Sequence, residues 1–264
     1  MLGAIAGDVI GSVHEHAGTK TKYFPLLAPH CRFTDDSVLT VAVADALLGP
    51  RDYVDAFHDW FWRYPHAGYG GTFAHWALSR RREPYNSWGN GAAMRVSPIA
   101  WAFDSLDEVL AQARRSAEVT HDHPEGIRGA QATAAAVFLA RQRRSKQEIR
   151  DEIECRFNYR LDAPLDAIRP SYRFDVSCQG SVPQSIIAFL ESSDYEDAVR
   201  NAISLGGDAD TMACIAGAIA EAYYGGVPPA IERAVLDTLD EPLRRTVLMF
   251  GQRYQAAGDR GAER

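Results

Sequence analysis

The stretch Ser204-Leu205-Gly206-Gly207-Asp208-Ala209-Asp210-Thr211 places two glycines just before two carboxylates and a hydroxyl. Glycine permits turns that a side-chain-bearing residue resists. The Ala-rich run from Met212 to Tyr224 that follows reads as a helix, because alanine has the highest intrinsic helix propensity. Asp208 and Asp210, two positions apart, would not share a face inside a regular helix, but at a loop-to-helix junction they can converge. Two readings stand for this stretch alone. One is a helix cap, in which Asp and Thr oxygens satisfy free N–H groups at the positive helix end. The other is a metal-ligand set.

A second helix start repeats the pattern. Phe33-Thr34-Asp35-Asp36-Ser37 leads into apolar positions Val38, Val41, Ala42 and Leu48, which suit a helix of about three turns, ended by Gly49-Pro50. Thr-Asp-Asp again carries more acid than one cap requires. If the two starts meet in space, four carboxylates crowd together, which either raises their pKa values or demands a counter-cation. Hard oxygen ligands without His or Cys favour Mg²⁺, Mn²⁺ or Ca²⁺ over zinc. The pair of motifs favours the metal reading over the cap.

Ahead of these lies a stretch with Gly3, Gly7 and Gly11 spaced four apart, on one helical face. It is not the phosphate-binding GxGxxG pattern and no strand precedes it, so it reads as a helix packed closely through a bare stripe. Asp8 inside that apolar helix must find a partner or water. Glu15, past the helix end, is free to point into a cleft.

The remainder is helical in pattern. Residues 52–63 are amphipathic, with Tyr53, Phe57, Trp60 and Phe61, and helices are expected at 107–118, 125–141, 145–154, 195–203, 211–224, 229–237 and 241–256. Another opens at Ser177, with Pro183 in its first turn. Short strands are expected within 157–175. Two segments rich in turn formers and aromatics, Tyr64 to Thr72 and Pro84 to Gly91, have the character of recognition loops. Gly89-Asn90-Gly91 entering Ala92-Ala93-Met94-Arg95 reads as a loop running into a helix, whose free N–H groups can hold an anion. His121 and His123 lack a Cys/His partner set, so a capping or ligand-contacting role fits them better than zinc.

Composition bounds the rest. The 264 residues are 46% hydrophobic and carry no linker or low-complexity tract, so we expect one domain over residues 1–256 and a flexible tail over 257–264. Twenty-eight basic against 35 acidic residues give a net charge of −7, which leaves no broad basic footprint for nucleic acid. Apolar runs fall short of the roughly 20 residues that span a bilayer, so no membrane association is expected. No basic leader opens the sequence, and Cys31, Cys155, Cys178 and Cys214 show no CxxC spacing, which fits free thiols in a reducing cytoplasm.

Taken in order, Gly7-Asp8-Val9-Ile10-Gly11 with Glu15, Phe33 to Ser37, Gly89-Asn90-Gly91 with Met94-Arg95, Thr120-His121 with Pro124, and Gly206 to Thr211 resemble the ADP-ribosylglycohydrolase family, of the type that reactivates dinitrogenase reductase. The resemblance spans roughly residues 2 to 250. It implies a compact all-α single-domain fold with two Mg²⁺ (or Mn²⁺) ions at the base of an ADP-ribose cleft. Carried over by position, Thr34, Asp35 and Asp36 match the first metal-binding motif, and Asp208, Asp210 and Thr211 the second. Glu15 matches an acidic residue near the metals. Asn90, Gly91, Met94 and His121 fall in segments lining the cleft, and Gly70 and Gly71 in a loop that varies between relatives. Some arginine-specific relatives carry an extra catalytic aspartate in that loop, whereas this sequence has none between Tyr64 and Arg82.

The implied function is Mg²⁺-dependent hydrolysis of the glycosidic bond between ADP-ribose and an acceptor, either a modified protein or a small molecule. Asp36 and Asp210 would be central ligands, and Glu15 would handle protons or gate the site. Two other readings are a non-catalytic ADP-ribose-binding protein on the same fold and a metal-dependent nucleotide phosphohydrolase. All six ligand positions are chemically competent, which argues against a decayed enzyme.

Overall fold

The computed structural model describes residues 1–49 and 51–255, which form α1 (Leu2–Gly11), α2 (Asp35–Leu48), α3 (Tyr53–Arg63), α4 (Gly71–Leu78), α5 (Gly91–Met94), α6 (Ser97–Ala102), α7 (Leu106–Glu118), α8 (Pro124–Arg141), α9 (Lys146–Phe157), α10 (Leu165–Ile168), α11 (Cys178–Leu190), α12 (Tyr195–Ile203), α13 (Ala209–Tyr224), α14 (Pro229–Thr238) and α15 (Glu241–Phe250). The expected tail at 257–264 lies outside the described residues. Helix starts follow local chemistry. The side chains of Thr34, Asp52, Ser105, Ser145, Ser177, Asp194 and Asp240 each accept a hydrogen bond from a free N–H of the first turn, and Ser145 with Glu148 completes a reciprocal capping box. His123 caps α8 through its ring nitrogen, the capping role foreseen for it.

α13 is the hub. It is buried from Ala209 to Glu221 and packs against α1, α8, α11 and α12. The glycine stripe of α1 is what brings α1 and α13 together. A Cβ on Gly7 would lie 2.7 Å from the backbone N of Cys214, and one on Gly11 would lie 2.5 Å from the Cα of Asp210. Only bare backbone fits there, so α1 meets α13 main chain to main chain. α2 runs beside α1 and is surrounded by α3, α6 and α15. Residues Asp36 to Ala44 are all buried, so α2 is a core helix covered on every side rather than an amphipathic one.

Three expectations need correction. No strand forms among the described residues of 157–175; that segment holds only the single helical turn α10 between Pro164 and Pro170, where prolines remove ladder donors and no neighbouring extended segment offers pairing. Pro183 sits in the interior of α11 rather than its first turn, leaving the Gln179 carbonyl without its helical donor. The last helix stops at Phe250 and continues as a wide π turn over Gly251–Gln255. α4 and α6 carry too short a periodic pattern to be read in advance, and the helix after Gly91 lasts one turn. No helix among the described residues is long and apolar enough to cross a membrane, and all four cysteines are free thiols.

Candidate active site

The two acidic helix starts do meet. Carboxylate oxygens of Asp8, Asp36 and Asp210 lie within 4.8 Å of one another, and so do those of Glu15, Asp208 and Asp210. Asp210 belongs to both groups and joins them. The two groups sit where the N-termini of α2 and α13 converge on the end of α1, because Gly11 lets the α1 backbone touch Asp210.

Asp208 resolves the cap question for its own motif. It occupies the N-cap position of α13, yet its side chain makes no capping bond. It instead accepts from the Asn90 amide at 2.7 Å. Gly206, at φ +65°, turns the chain into this start, and Gly207 lies under the ring of Tyr172. Thr34 in contrast does cap its helix, accepting from the Asp36 N–H at 3.3 Å while donating to Asp8 at 2.6 Å. Thr211 donates to Asp36 Oδ2 at 3.3 Å, which ties one motif to the other.

Asp8 was legible only as an acid needing a partner, and its role goes further. It accepts from the Thr34 N–H at 2.9 Å, the Ser37 N–H at 3.0 Å, and the hydroxyls of both residues. One carboxylate on α1 therefore holds the whole first turn of α2. Four donors occupy most of its lone pairs, so Asp8 organises the motif while Asp36 and Asp210 keep oxygens available. Asp36 Oδ1 is buried with no hydrogen-bond partner. A buried carboxylate oxygen left free beside other carboxylates, in a set made only of hard oxygen donors, fits a bound cation.

Electrostatics agree. Burial, then repulsion from Asp210, holds the Asp36 carboxyl far above the ordinary carboxylate range. Burial and the neighbouring Asp208 do the same to Asp210. Asp35 is pushed up to about 8 by burial and by the nearby Asp8. Glu15 is raised by burial, partly offset by His16. A cation would relieve each of these.

The remaining foreseen residues separate into neighbours and outliers. Asp35 is outside both carboxylate groups. Its N–H donates to Ala67 O at 2.9 Å, and its side chain faces Gly68 of the Tyr64-to-Thr72 loop. Gly70 and Gly71 lie farther along that loop, exposed at the start of α4, with open space around them. Asn90 is held by an isolated bridge between Gly89 and Ser177, its N–H donating to Val176 O at 2.8 Å. Gly91 lies against the His121 ring. Met94 is buried, with its sulfur 3.9 Å from the Thr211 hydroxyl oxygen, so it lies beneath the acidic groups. Away from the site, Arg82 pairs with Asp52 and Asp55, and Arg144 with Glu148.

Comparison with known proteins gives the family. The family model described as ADP-ribosylglycohydrolase matches residues 1–260. The chain is similar to ADP-ribosylhydrolase ARH3 of Mus musculus, 30% identical over 85% of this chain and 82% of that protein. ADP-ribosylhydrolase ARH3 of Bos taurus is 31% identical over 85% of this chain and 84% of that protein. A solved structure described as an ADP-ribosylglycohydrolase-related protein complex shares the fold, with a TM-score of 0.66 at 24% identity, covering 95% of this chain and 96% of that one. The all-α fold, the convergent carboxylates and these likenesses together make the chain a glycohydrolase belonging to the ADP-ribosylglycohydrolase family.

Proposed function

We propose that this chain is a Mg²⁺-dependent hydrolase that cleaves the glycosidic bond between ADP-ribose and an acceptor and releases free ADP-ribose. The observation that carries the reading is Asp210, whose carboxylate lies within 4.8 Å of that of Asp36 in one group and that of Asp208 in the other. Two adjacent acidic sites with a common ligand fit a pair of divalent ions. All-oxygen donors favour Mg²⁺, with Mn²⁺ as a substitute. Thr34, Asp35, Asp36, Asp208, Asp210 and Thr211 are the proposed ligands, with Asp8 fixing the first motif from behind.

Cleavage at the ribose anomeric carbon passes through an oxocarbenium-like state. Bound metal would supply a grip on the ribose hydroxyls and a lowered pKa for attacking water. The chain's own residues do the rest. Glu15, half-exposed at the edge of the second group, would take or give a proton at the departing acceptor. Asn90 holds Asp208 in orientation through its amide. Gly89 to Gly91 leave room for a ligand to approach backbone and the His121 ring. The acceptor is a modified protein side chain or a small molecule, and a reducing, cytoplasmic setting fits the free cysteines.

The test is release of free ADP-ribose from an arginine-linked mono-ADP-ribosylated protein, with Mg²⁺ and with EDTA, followed by serine-linked and O-acetyl substrates. Metal-dependent release on any of these is the expected result. Tight ADP-ribose binding without turnover on all of them would favour a binding protein, and phosphate release would favour a phosphohydrolase. Glu15→Gln should spare metal binding while lowering the rate, and unchanged kinetics would remove its proton role.

A further inference from the structure

Arg95 is the most unusual buried charge in the molecule. It follows α5, is 0% exposed, and has no carboxylate ion-pair partner among the described residues. Its guanidinium lies 4.2 Å over the Phe57 ring, and its Nη2 donates to Ser116 O at 2.9 Å and to the Thr120 hydroxyl oxygen at 2.8 Å. A cation stripped of water without an acid beside it is costly. Stacking on an aromatic face offsets part of that cost, and Met or Leu would fill the same space without it. The charge therefore calls for a use.

The Thr120 oxygen shows where the charge is felt. It is 2.8 Å from His121 Nδ1. Arg95 can only donate, and the neutral Tyr85 phenol meets the same hydroxyl, so the two fill the acceptor positions of Thr120 and leave its single proton for His121 Nδ1. The positive guanidinium also favours a lone pair, rather than an N–H, on the side of the imidazole facing it. Both effects put the His121 proton on Nε2. That nitrogen faces the Gly89-Asn90-Gly91 turn, where a Cβ on Gly91 would come within 3.2 Å of it. Arg95 and Tyr85 are the ionisable groups that face this ring, Tyr85 with its ring centroid 6.0 Å away. Burial and the Arg95 charge both disfavour the imidazolium.

We infer that Arg95 is a positioning residue that, through Thr120, locks His121 as a neutral imidazole with its proton on Nε2, a fixed donor aimed at the Gly89-to-Gly91 turn. Its use as a donor to an anionic oxygen of ADP-ribose rests on the proposed function, but the lock itself does not. A neutral donor gives direction without charge, so the turn binds the ligand the same way across a wide pH range.

The decisive experiment is ¹⁵N NMR of the full chain with labelled histidine, with His121 assigned by its loss in His121→Gln. The expected spectrum shows an unprotonated Nδ1, a protonated Nε2, and no titration between about pH 5 and 8, where a free imidazole titrates near 6.5. Thr120→Val, which keeps Arg95 and its packing but removes the donor to Nδ1, should weaken the lock and raise the share of the Nδ1-protonated tautomer. Thr120→Ser should restore a single one. In calorimetry with ADP-ribose, Thr120→Val should bind roughly tenfold more weakly and Thr120→Ser near wild type, as expected for weakening one hydrogen bond to a charged group. A wild-type His121 protonated on Nδ1, or titrating as a free imidazole, overturns the inference. If ADP-ribose binds no variant, wild type included, the functional reading fails while the NMR result still decides the lock.

Discussion

Replacing Asp8 separates an organiser from a ligand. In Asp8→Ala, the buried N–H groups of Thr34 and Ser37 lose their acceptor, while the two hydroxyls can rotate to other partners. An unsatisfied buried donor costs about 1–3 kcal/mol, so the pair costs roughly 2–6 kcal/mol. Removing a carboxyl whose burial raises its pKa returns part of this, which leaves a net loss of about 2–4 kcal/mol. For a chain of this size that is a fall in Tm of roughly 4–16 °C. Asp8→Asn behaves differently. Its amide oxygen can take the position of Oδ2, where three of the four donors converge, and its NH₂ can face the Thr34 hydroxyl, which also accepts. It should cost only about 1 kcal/mol. The assay is denaturant unfolding in EDTA for stability, with Mg²⁺ titration calorimetry for affinity. The expected order is wild type, then Asp8→Asn close behind, then Asp8→Ala. If Asp8→Asn kept the fold but lost metal as completely as Asp210→Asn, Asp8 would be a direct ligand and the reasoning from its filled lone pairs would be wrong.

Asp210→Asn should abolish binding at both metal sites, whereas Asp208→Asn should leave one, counted by metal analysis of the dialysed protein; equal stoichiometry in the two variants would refute the shared ligand. Gly7→Ala forces a methyl onto the Cys214 backbone and should cost about 3 kcal/mol, while Gly71→Ala, with nothing within 4 Å, should be neutral or stabilising by about 0.5 kcal/mol in thermal unfolding. In EDTA, Tm should fall as pH rises from 5 to 8. Asp35, at about 8 when folded and about 3.9 when unfolded, keeps its proton in the folded state across that window, so unfolding releases a proton and rising pH favours it. Saturating Mg²⁺ should flatten or reverse the trend, since the ion binds the deprotonated carboxylates. A metal-free Tm that climbs over that range would contradict the buried-carboxylate picture.

The acidic motifs were readable because their excess of acid over capping need is a local property of Thr34-Asp35-Asp36 and Asp208-Ala209-Asp210. The bare face of α1 was readable from the spacing of Gly3, Gly7 and Gly11. What escaped depends on partners distant in the chain. Nothing near Asp8 says that it reaches Thr34 and Ser37, although an acid amid Gly, Ala and Ile was the available signal. Asn90 looks like a turn residue until Asp208 is placed beside it. Met94 shares a motif with Asn90, yet it points under the acidic groups, because one helical turn sends successive side chains in different directions. Strand-like residues in 157–175 have no extended neighbour to pair with.

The contact between α1 and α13 has a consequence for how this scaffold can diversify. Side chains can change rotamer to absorb a neighbour's shift, but two main chains in contact have no such slack. Asp8 at one side of that seam and Asp210 at the other therefore keep their separation to within what bond geometry allows. The stretch joining α3 to α4, which carries Gly70 and leads into Gly71, crosses no such seam, with open space around both glycines. It can lengthen, shorten or change character without disturbing the seam. A new leaving group can thus be accommodated at the rim while the base of the site stays as it is.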